Sequence, residues 1–159
     1  VYKKHEFFVE ENKISKHLGF IESGMFQYYV LKDGEIRTTY ISTENNFLNS
    51  RLSFVSETPA VENVRALTHG SVSLISKTNL KKLANEIPRF KDFYIQLLES
   101  SICNIDAIRH DFILLSGEQR YEKLLKEDPK VLQQIPLQYL ASMLGVTPRH
   151  LSRIRNNIR

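Results

Sequence analysis

Near the end of the chain, three side chains have the types and spacing needed to read base pairs. Arg149, Arg153 and Asn156 stand at i, i+4 and i+7, which on a helix forms one stripe. An Arg fork matches guanine O6 and N7, and an Asn amide can pair bidentately with adenine. Thr147, His150 and Ser152 complete the candidate DNA contacts, with Asn157 at the flank. No Asp or Glu follows Asp128, whereas Arg149, Arg153, Arg155 and Arg159 all do. An acid-free, Arg-bearing end suits a polyanion. The plainer alternative is a solvated face of a small helical domain.

Such a stripe must be carried by a helix held at a fixed angle, and the sequence supplies one. Leu137, Leu140, Ala141 and Leu144 recur at helical spacing. Gly145 follows, where a chain leaving a helix needs positive φ. Val146 is the apolar plug of the turn. Thr147 is a good N-cap, and Pro148 suits the first helical position, where no N–H is required. Leu151, Ile154 and Ile158 make the inner face of the second helix. Small Ala141 lets the two helices cross closely. The pattern is that of a helix-turn-helix.

The 159 residues allow one large domain or two small ones, and 42% hydrophobic with 25% charged is ordinary for a globular chain. The net charge of +4 is unevenly spread. Residues 1–87 carry 11 basic against 10 acidic side chains, residues 88–116 carry 3 against 4, and residues 117–159 carry 8 against 4. The basic excess therefore lies with the helix-turn-helix. The single cysteine, Cys103, has no intramolecular partner, so a reducing, cytoplasmic setting is expected. No apolar run approaches a transmembrane length, and no signal peptide is visible. The chain opens on Val, as a trimmed one would.

Residues 1–76 read as short strands. His5–Val9, Gly19–Glu22, Met25–Leu31, Ile36–Ile41, Val61–Leu67 and Ser71–Ser76 are the candidates, and Phe47–Leu52 reads as strand or loop. Asp33-Gly34 between two β-rich runs is a strong hairpin signal. Strands this short, punctuated this regularly, suggest a small barrel or double-sheet jelly roll. Thr78-Asn79 is expected to cap a helix over Leu80–Glu86, which Ile87-Pro88 interrupts. From Arg89 to about Leu115 runs the longest helical pattern, with Phe90, Phe93, Leu97, Leu98, Ser101, Ile102, Ile105, Ile108, Phe112 and Leu115 on one broad stripe. Such a helix would be roughly 39 Å long, more than a domain of this size needs for its own core. A self-pairing seam through Leu98, Ile102, Ile105, Ile108 and Phe112 is the natural use. The alternative is a core helix lying across both domains. Ser116 to Gln119 has capping-box spacing, opening a helix with Tyr121, Leu124 and Leu125 that ends near Asp128-Pro129. Val131, Leu132 and Ile135 supply core to a three-helix unit.

Strand roll, long helix and terminal helix-turn-helix, in that order, resemble the cyclic AMP receptor protein and fumarate–nitrate regulator superfamily of bacterial transcription factors. The likeness covers nearly the whole chain. Its most specific part is the string Arg120-Tyr121, Ile135-Pro136-Leu137, Leu140 to Pro148 and Leu151 to Arg155, which looks especially like Bacteroidetes-type members. Phe20 to Gly24 resembles the roll's glycine turn, and Val64-Arg65-Ala66 resembles the strand after the ligand cassette. The resemblance implies an α+β fold: a sensor roll over 1–87, a dimerisation helix over 88–115 and a DNA-binding domain over 116–159. It implies a homodimer on double-stranded DNA with a possible small-molecule effector.

Two departures follow from the same comparison. Cyclic-nucleotide-binding members carry Gly-Glu in the cassette, whose Glu holds the ribose, and Arg-Ser, whose Arg pairs with the cyclic phosphate. Here the matching places are Asn49-Ser50 and Ala60-Val61. Arg65 is the one candidate effector-binding residue, if it faces the roll interior. The β-hairpin wing usual after the recognition helix is not evident.

Other chemistry finds less support. His5, His17, His69, His110 and His150 are scattered, with no metal-ligand spacing among them or with Cys103, so no metal or cofactor is expected. Cys103 reads as a small interface hydrophobe rather than a redox switch. Phosphate-cradling and nucleophile-elbow motifs are absent, and an enzyme is not expected. The expected function is a DNA-binding transcription regulator. The rivals are a ligand-binding or protein-interaction module that no longer binds DNA and, remotely, a cupin-like enzyme.

Overall fold

A computed structural model describes residues 1–127 and 129–157, without the side chains of 130 and 131. The expectations placed on Asp128, the Val131 side chain, Ile158 and Arg159 lie outside the described residues. The fold is α+β: among the described residues, seven strands in antiparallel pairs, with one short helix between the fifth and the sixth, are followed by helices. Two compact units divide it, Val1–Asn79 and Leu80–Arg159.

The first unit is a roll of two sheets. One holds β1 (Phe7–Val9), β6 (Asn63–Ala66), β3 (Phe26–Lys32) and β4 (Glu35–Ser42), in that order; the other holds β5 (Phe47–Leu48), β2 (His17–Ser23) and β7 (Ser71–Ser76). Alternation sends Phe26 and Tyr28 of β3 and Val64 and Ala66 of β6 inward, where they meet Ile21 and Leu48 from the opposite sheet. Tyr28 and Tyr40 stack edge to face across the β3–β4 pair, with ring centroids 5.9 Å apart. The hairpin between β3 and β4 turns on Asp33-Gly34. Both residues have positive φ, 55° and 77°, the signature of a type I′ turn whose twist suits the flanking strands.

Two local expectations need correction. Phe47–Leu52 is neither one strand nor a loop: β5 ends at Leu48, and a short helix, α1 (Arg51–Ser56), begins three residues later. Phe54 anchors α1 in the roll, fully buried, and Glu57 closes it in the left-handed region. Six residues are too few for hydrophobic periodicity to announce a helix. The next helix, α2 (Lys77–Glu86), starts before Thr78-Asn79, because Ser76 is the cap and its hydroxyl accepts the Asn79 N–H at 3.2 Å.

In the second unit α3 (Pro88–Leu114) runs 27 residues and begins one residue before the expected Arg89, since Pro88, expected only to interrupt the preceding helix, occupies the first turn, where its missing N–H costs nothing. None of its residues is buried. Ser116 and Gln119 then form the expected capping box reciprocally: the Ser116 hydroxyl accepts from the Gln119 N–H, and the Gln119 side chain accepts from the Ser116 N–H. They open α4 (Gly117–Glu127). The stretch carrying Leu132 is itself helical, α5 (Pro129–Gln134), so the expected three helices are four. Then come α6 (Leu137–Met143) and α7 (Pro148–Asn157).

Candidate functional site

The α6–α7 pair is built on Leu140, Ala141, Leu144, Leu151 and Ile154, all nearly or fully buried. Gly145 takes φ 68°, and two hydrogen bonds close α6 around it. The Val146 N–H reaches the Ala141 carbonyl at 3.0 Å, and the Gly145 N–H reaches the Ser142 carbonyl at 3.0 Å, a Schellman ending. Thr147 then caps α7, its hydroxyl accepting the His150 N–H at 3.2 Å. With Leu151 and Ile154 committed inward, helical geometry turns the opposite face out. Thr147, Arg149, His150, Arg153 and Asn156 are all exposed and Ser152 is half-buried. The six residues singled out in the sequence thus lie along one helix, from its cap at Thr147 to its last turn at Asn156.

Arg155 behaves differently from Arg149 and Arg153. It is half-buried, donates to the Leu132 carbonyl at 3.3 Å and lies over the Tyr121 ring at 5.8 Å. Its charge belongs to the packing of α4 and α5 against α7. Counting arginines by position along the chain could not separate it from Arg153; helical phase does, since Arg155 adjoins Ile154.

Along α3 the apolar side chains form two neighbouring stripes. Leu98, Ile102, Ile105 and Phe112 are exposed, between 39% and 64%, whereas Tyr94, Leu97, Ser101, Ile108 and Leu115 are half-buried. Ile108, grouped with the seam in the sequence, belongs to the second stripe by accessibility. Cys103 is exposed and turns about 100° away from Ile102 on the helix, so it is not a hydrophobe of that stripe.

In the roll, the cassette between β5 and β6 is a polar knot. The hydroxyl of Ser50, at the N-cap of α1, makes no cap bond to its own helix; it donates to Glu62 at 3.0 Å. The Asn49 N–H donates to the Tyr28 hydroxyl at 3.2 Å. Burial pushes the Tyr28 phenol far above its usual range and also raises the Glu62 carboxyl, against the Ser50 hydrogen bond and the attraction of nearby Arg51. Ala60 is buried in the apolar core, its backbone paired with Asn12 and Lys13. Glu62 and Arg51 were not singled out in the sequence. Both are charged residues bounding the cassette, and only the fold brings them to the Tyr28 hydroxyl.

Arg65 lies elsewhere. Val64 and Ala66 point into the core, so alternation puts Arg65 on the opposite face of its sheet. Its Nε donates to Gln27 Oε1 at 3.0 Å, and the guanidinium stacks on Tyr29 at 4.7 Å. Gln27 in turn donates to Thr38 at 2.7 Å, completing a buried polar chain. The condition under which Arg65 could meet an effector inside the roll is not met: it braces the outer face instead. Among the described residues, no three His, Cys, Asp or Glu side chains cluster as a metal site, and no helix is long and apolar enough to cross a membrane.

The fold is shared with several solved structures. FixK2 from Bradyrhizobium japonicum superposes with a TM-score of 0.83 at 15% identity, over 99% of this chain and 81% of that one. The c-di-GMP-responsive global regulator CLP of Xanthomonas campestris gives 0.74 at 14%, over 99% and 84%. A protein from Eubacterium rectale placed in the crp/fnr family of transcriptional regulators gives 0.71 at 16%, over 98% and 75%. No curated protein matches the chain by sequence. The family model of the cyclic nucleotide-binding domain matches residues 1–86, more than half the chain, and the protein is a member of that family.

Proposed function

We propose that the protein is a homodimeric, DNA-binding transcription regulator whose roll is shaped as a sensor but does not take cyclic AMP. Residues 1–87 act as the sensor, 88–115 as the pairing helix and 116–159 as the DNA-binding part. The observation that carries the reading is the two-faced α7: Leu151 and Ile154 fixed inward by α6, with Arg149, Arg153 and Asn156 exposed together on the other side. Arg149 and Arg153 read base edges in the major groove, and Thr147, His150 and Ser152 position the helix on the backbone. Two such helices, one per copy, read a pseudo-palindrome. The pairing surface is the exposed stripe of α3, an apolar face that a lone copy leaves in water. A single exposed thiol fits a reducing cytoplasm.

The cassette argues against a cyclic nucleotide. A buried phosphate needs a cation, because an unpaired anion loses its hydration without compensation. The place where nucleotide-binding relatives carry Arg is Ala60, packed in apolar core, and the cation beside the cassette, Arg51, already faces Glu62. An entering phosphate would meet that carboxylate. Selection from a random duplex pool, followed by a salt-dependent shift assay, tests the DNA reading; a preferred duplex with a steep salt slope is expected, and uniform absence of binding would overturn it. Calorimetry with cyclic AMP should give no saturable heat. A micromolar dissociation constant at one site per subunit would refute this part and point to Arg51 as the phosphate partner.

A further inference from the structure

Arg120 is a charged residue on the inward face of α4, beside buried Tyr121, and each arm of its fork is in use. Nη1 donates to the Leu115 carbonyl at 2.6 Å, the residue that ends α3. Nη2 and Nε donate to the Leu144 carbonyl, at 2.7 and 3.2 Å, the residue that ends α6. The guanidinium plane lies over the Phe112 ring, 4.5 Å from its centroid. Carbonyls at helix C-termini carry partial negative charge and lack partners within the helix, so one cation across two of them is a strong tie.

The turn before α7 is pressed against the same group. A Cβ added at Gly145 would lie 3.3 Å from Phe112 Cε1 and 3.4 Å from Arg120 Nη2. Val146, the next residue, packs against Gly117 so closely that a Cβ there would overlap it. A 2.6 Å ion pair between Lys123 and Asp111 fixes α4 on α3 one turn further along. Phe112 belongs to the exposed stripe of α3, with nearly half its surface open. One ring therefore forms part of the pairing face and also backs the clamp on the turn.

We infer that Arg120 is a positioning residue for the recognition helix. It fixes the turn between α6 and α7 to the end of α3 and so sets the angle at which Arg149 and Arg153 meet DNA. The inference rests on the DNA-binding reading above. Lysine keeps the charge but cannot fork across two carbonyls and stack at once. In the full chain, Arg120→Lys should cut the ratio of preferred to scrambled duplex affinity about tenfold, close to the effect of one mismatched base pair. Affinity for scrambled duplex, and its salt slope, should stay as in the parent, because phosphate contacts tolerate a small change of angle.

A merely structural role would instead lower both affinities together, and that result overturns the inference, as does an unchanged ratio. If Arg120→Lys fails to fold by circular dichroism, Phe112→Leu replaces it. That variant keeps both carbonyl bonds and loses the stacking; with its dimerisation shown by sedimentation to match the parent's, because Phe112 also lies in the pairing stripe, it should lower the ratio about threefold, and an unchanged ratio there overturns the inference too. A parent chain with no preferred duplex would sink the DNA-binding reading itself, and the inference with it.

Discussion

The roll and the long helix contain similar kinds of apolar residue and dispose of them in opposite ways. In the roll, period-two alternation on two facing sheets lets Ile21, Phe26, Leu48 and Val64 bury one another completely. The unit closes on itself, and its most exposed apolar side chains, Val1, Leu52, Val61 and Val55, all lie off the strands. In α3, twenty-seven residues pass without one being buried, and Ile102 keeps 64% of its surface in solvent. A sheet sandwich supplies its own second layer, whereas a lone helix stripe must find one elsewhere. Apolar content is thus a poor guide to what a segment does. What separates core from interface is whether the same copy can cover the stripe.

That contrast is open to direct attack by substitution. Phe26→Ala empties a fully buried site in the roll and should cost about 3–5 kcal/mol in urea unfolding. Ile105→Glu should leave the fold of a single copy intact, since Ile105 is already 46% exposed, but it puts a carboxylate into the proposed seam. Sedimentation should show the parent as a dimer and this variant weaker in association by on the order of a hundredfold. A parent that is monomeric at tens of micromolar, or an Ile105→Glu chain that dimerises unchanged, would make the open stripe something other than a pairing surface.

A third substitution contrasts outward charge with inward charge on one helix. Arg153→Ala should cost about 1–3 kcal/mol on the preferred duplex and relax its sequence preference, read by competition with single-base variants. Arg155→Ala should act first on stability, because its guanidinium holds the Leu132 carbonyl and the Tyr121 ring. If Arg153→Ala left the preference unchanged, the reading face of α7 would be misassigned.

What could be read in the sequence follows the range of the interactions involved. The Asp33-Gly34 hairpin, the Ser116–Gln119 capping box, the Gly145 turn and the Thr147 cap were all legible, because each is decided by backbone preferences within four residues. The split of α7 into a buried and an open face was legible from its period. Contacts between distant segments were not. Nothing near Glu62 announces that Ser50 will turn its hydroxyl away from its own helix toward it. Arg65 adjoins a core strand, and only the register of β6 shows that it braces Gln27 on the outer face. Arg120 left a faint mark, a charge in phase with Leu124 on a face otherwise apolar, the pattern of a cation with a partly buried partner. Its two carbonyl partners, at Leu115 and Leu144, belong to separate helices and could not be named in advance.

The smallest expected effect separates the two units by pH. In the roll, burial raises the Glu62 carboxyl above its ordinary value of 4.5. A carboxyl with a raised folded pKa holds its proton more tightly folded than unfolded. Its contribution to stability is fully present below the unfolded pKa and is lost as pH rises through the folded one. In the helical unit, the Asp111 hydrogen bond raises Lys123, so its contribution is present at neutral pH and is lost only as alkaline pH passes the folded pKa. Raising pH from below 4.5 toward neutrality should therefore weaken the roll through Glu62, while the Lys123 ammonium stays charged throughout. Glu62→Gln removes the titrating proton but keeps an oxygen for the Ser50 hydroxyl. Its urea midpoint, followed by Tyr28 and its neighbours in the near-ultraviolet, should change less with pH than the parent's over that interval. Parallel midpoints for the two chains would mean that the acid-side slope of the roll comes from another group.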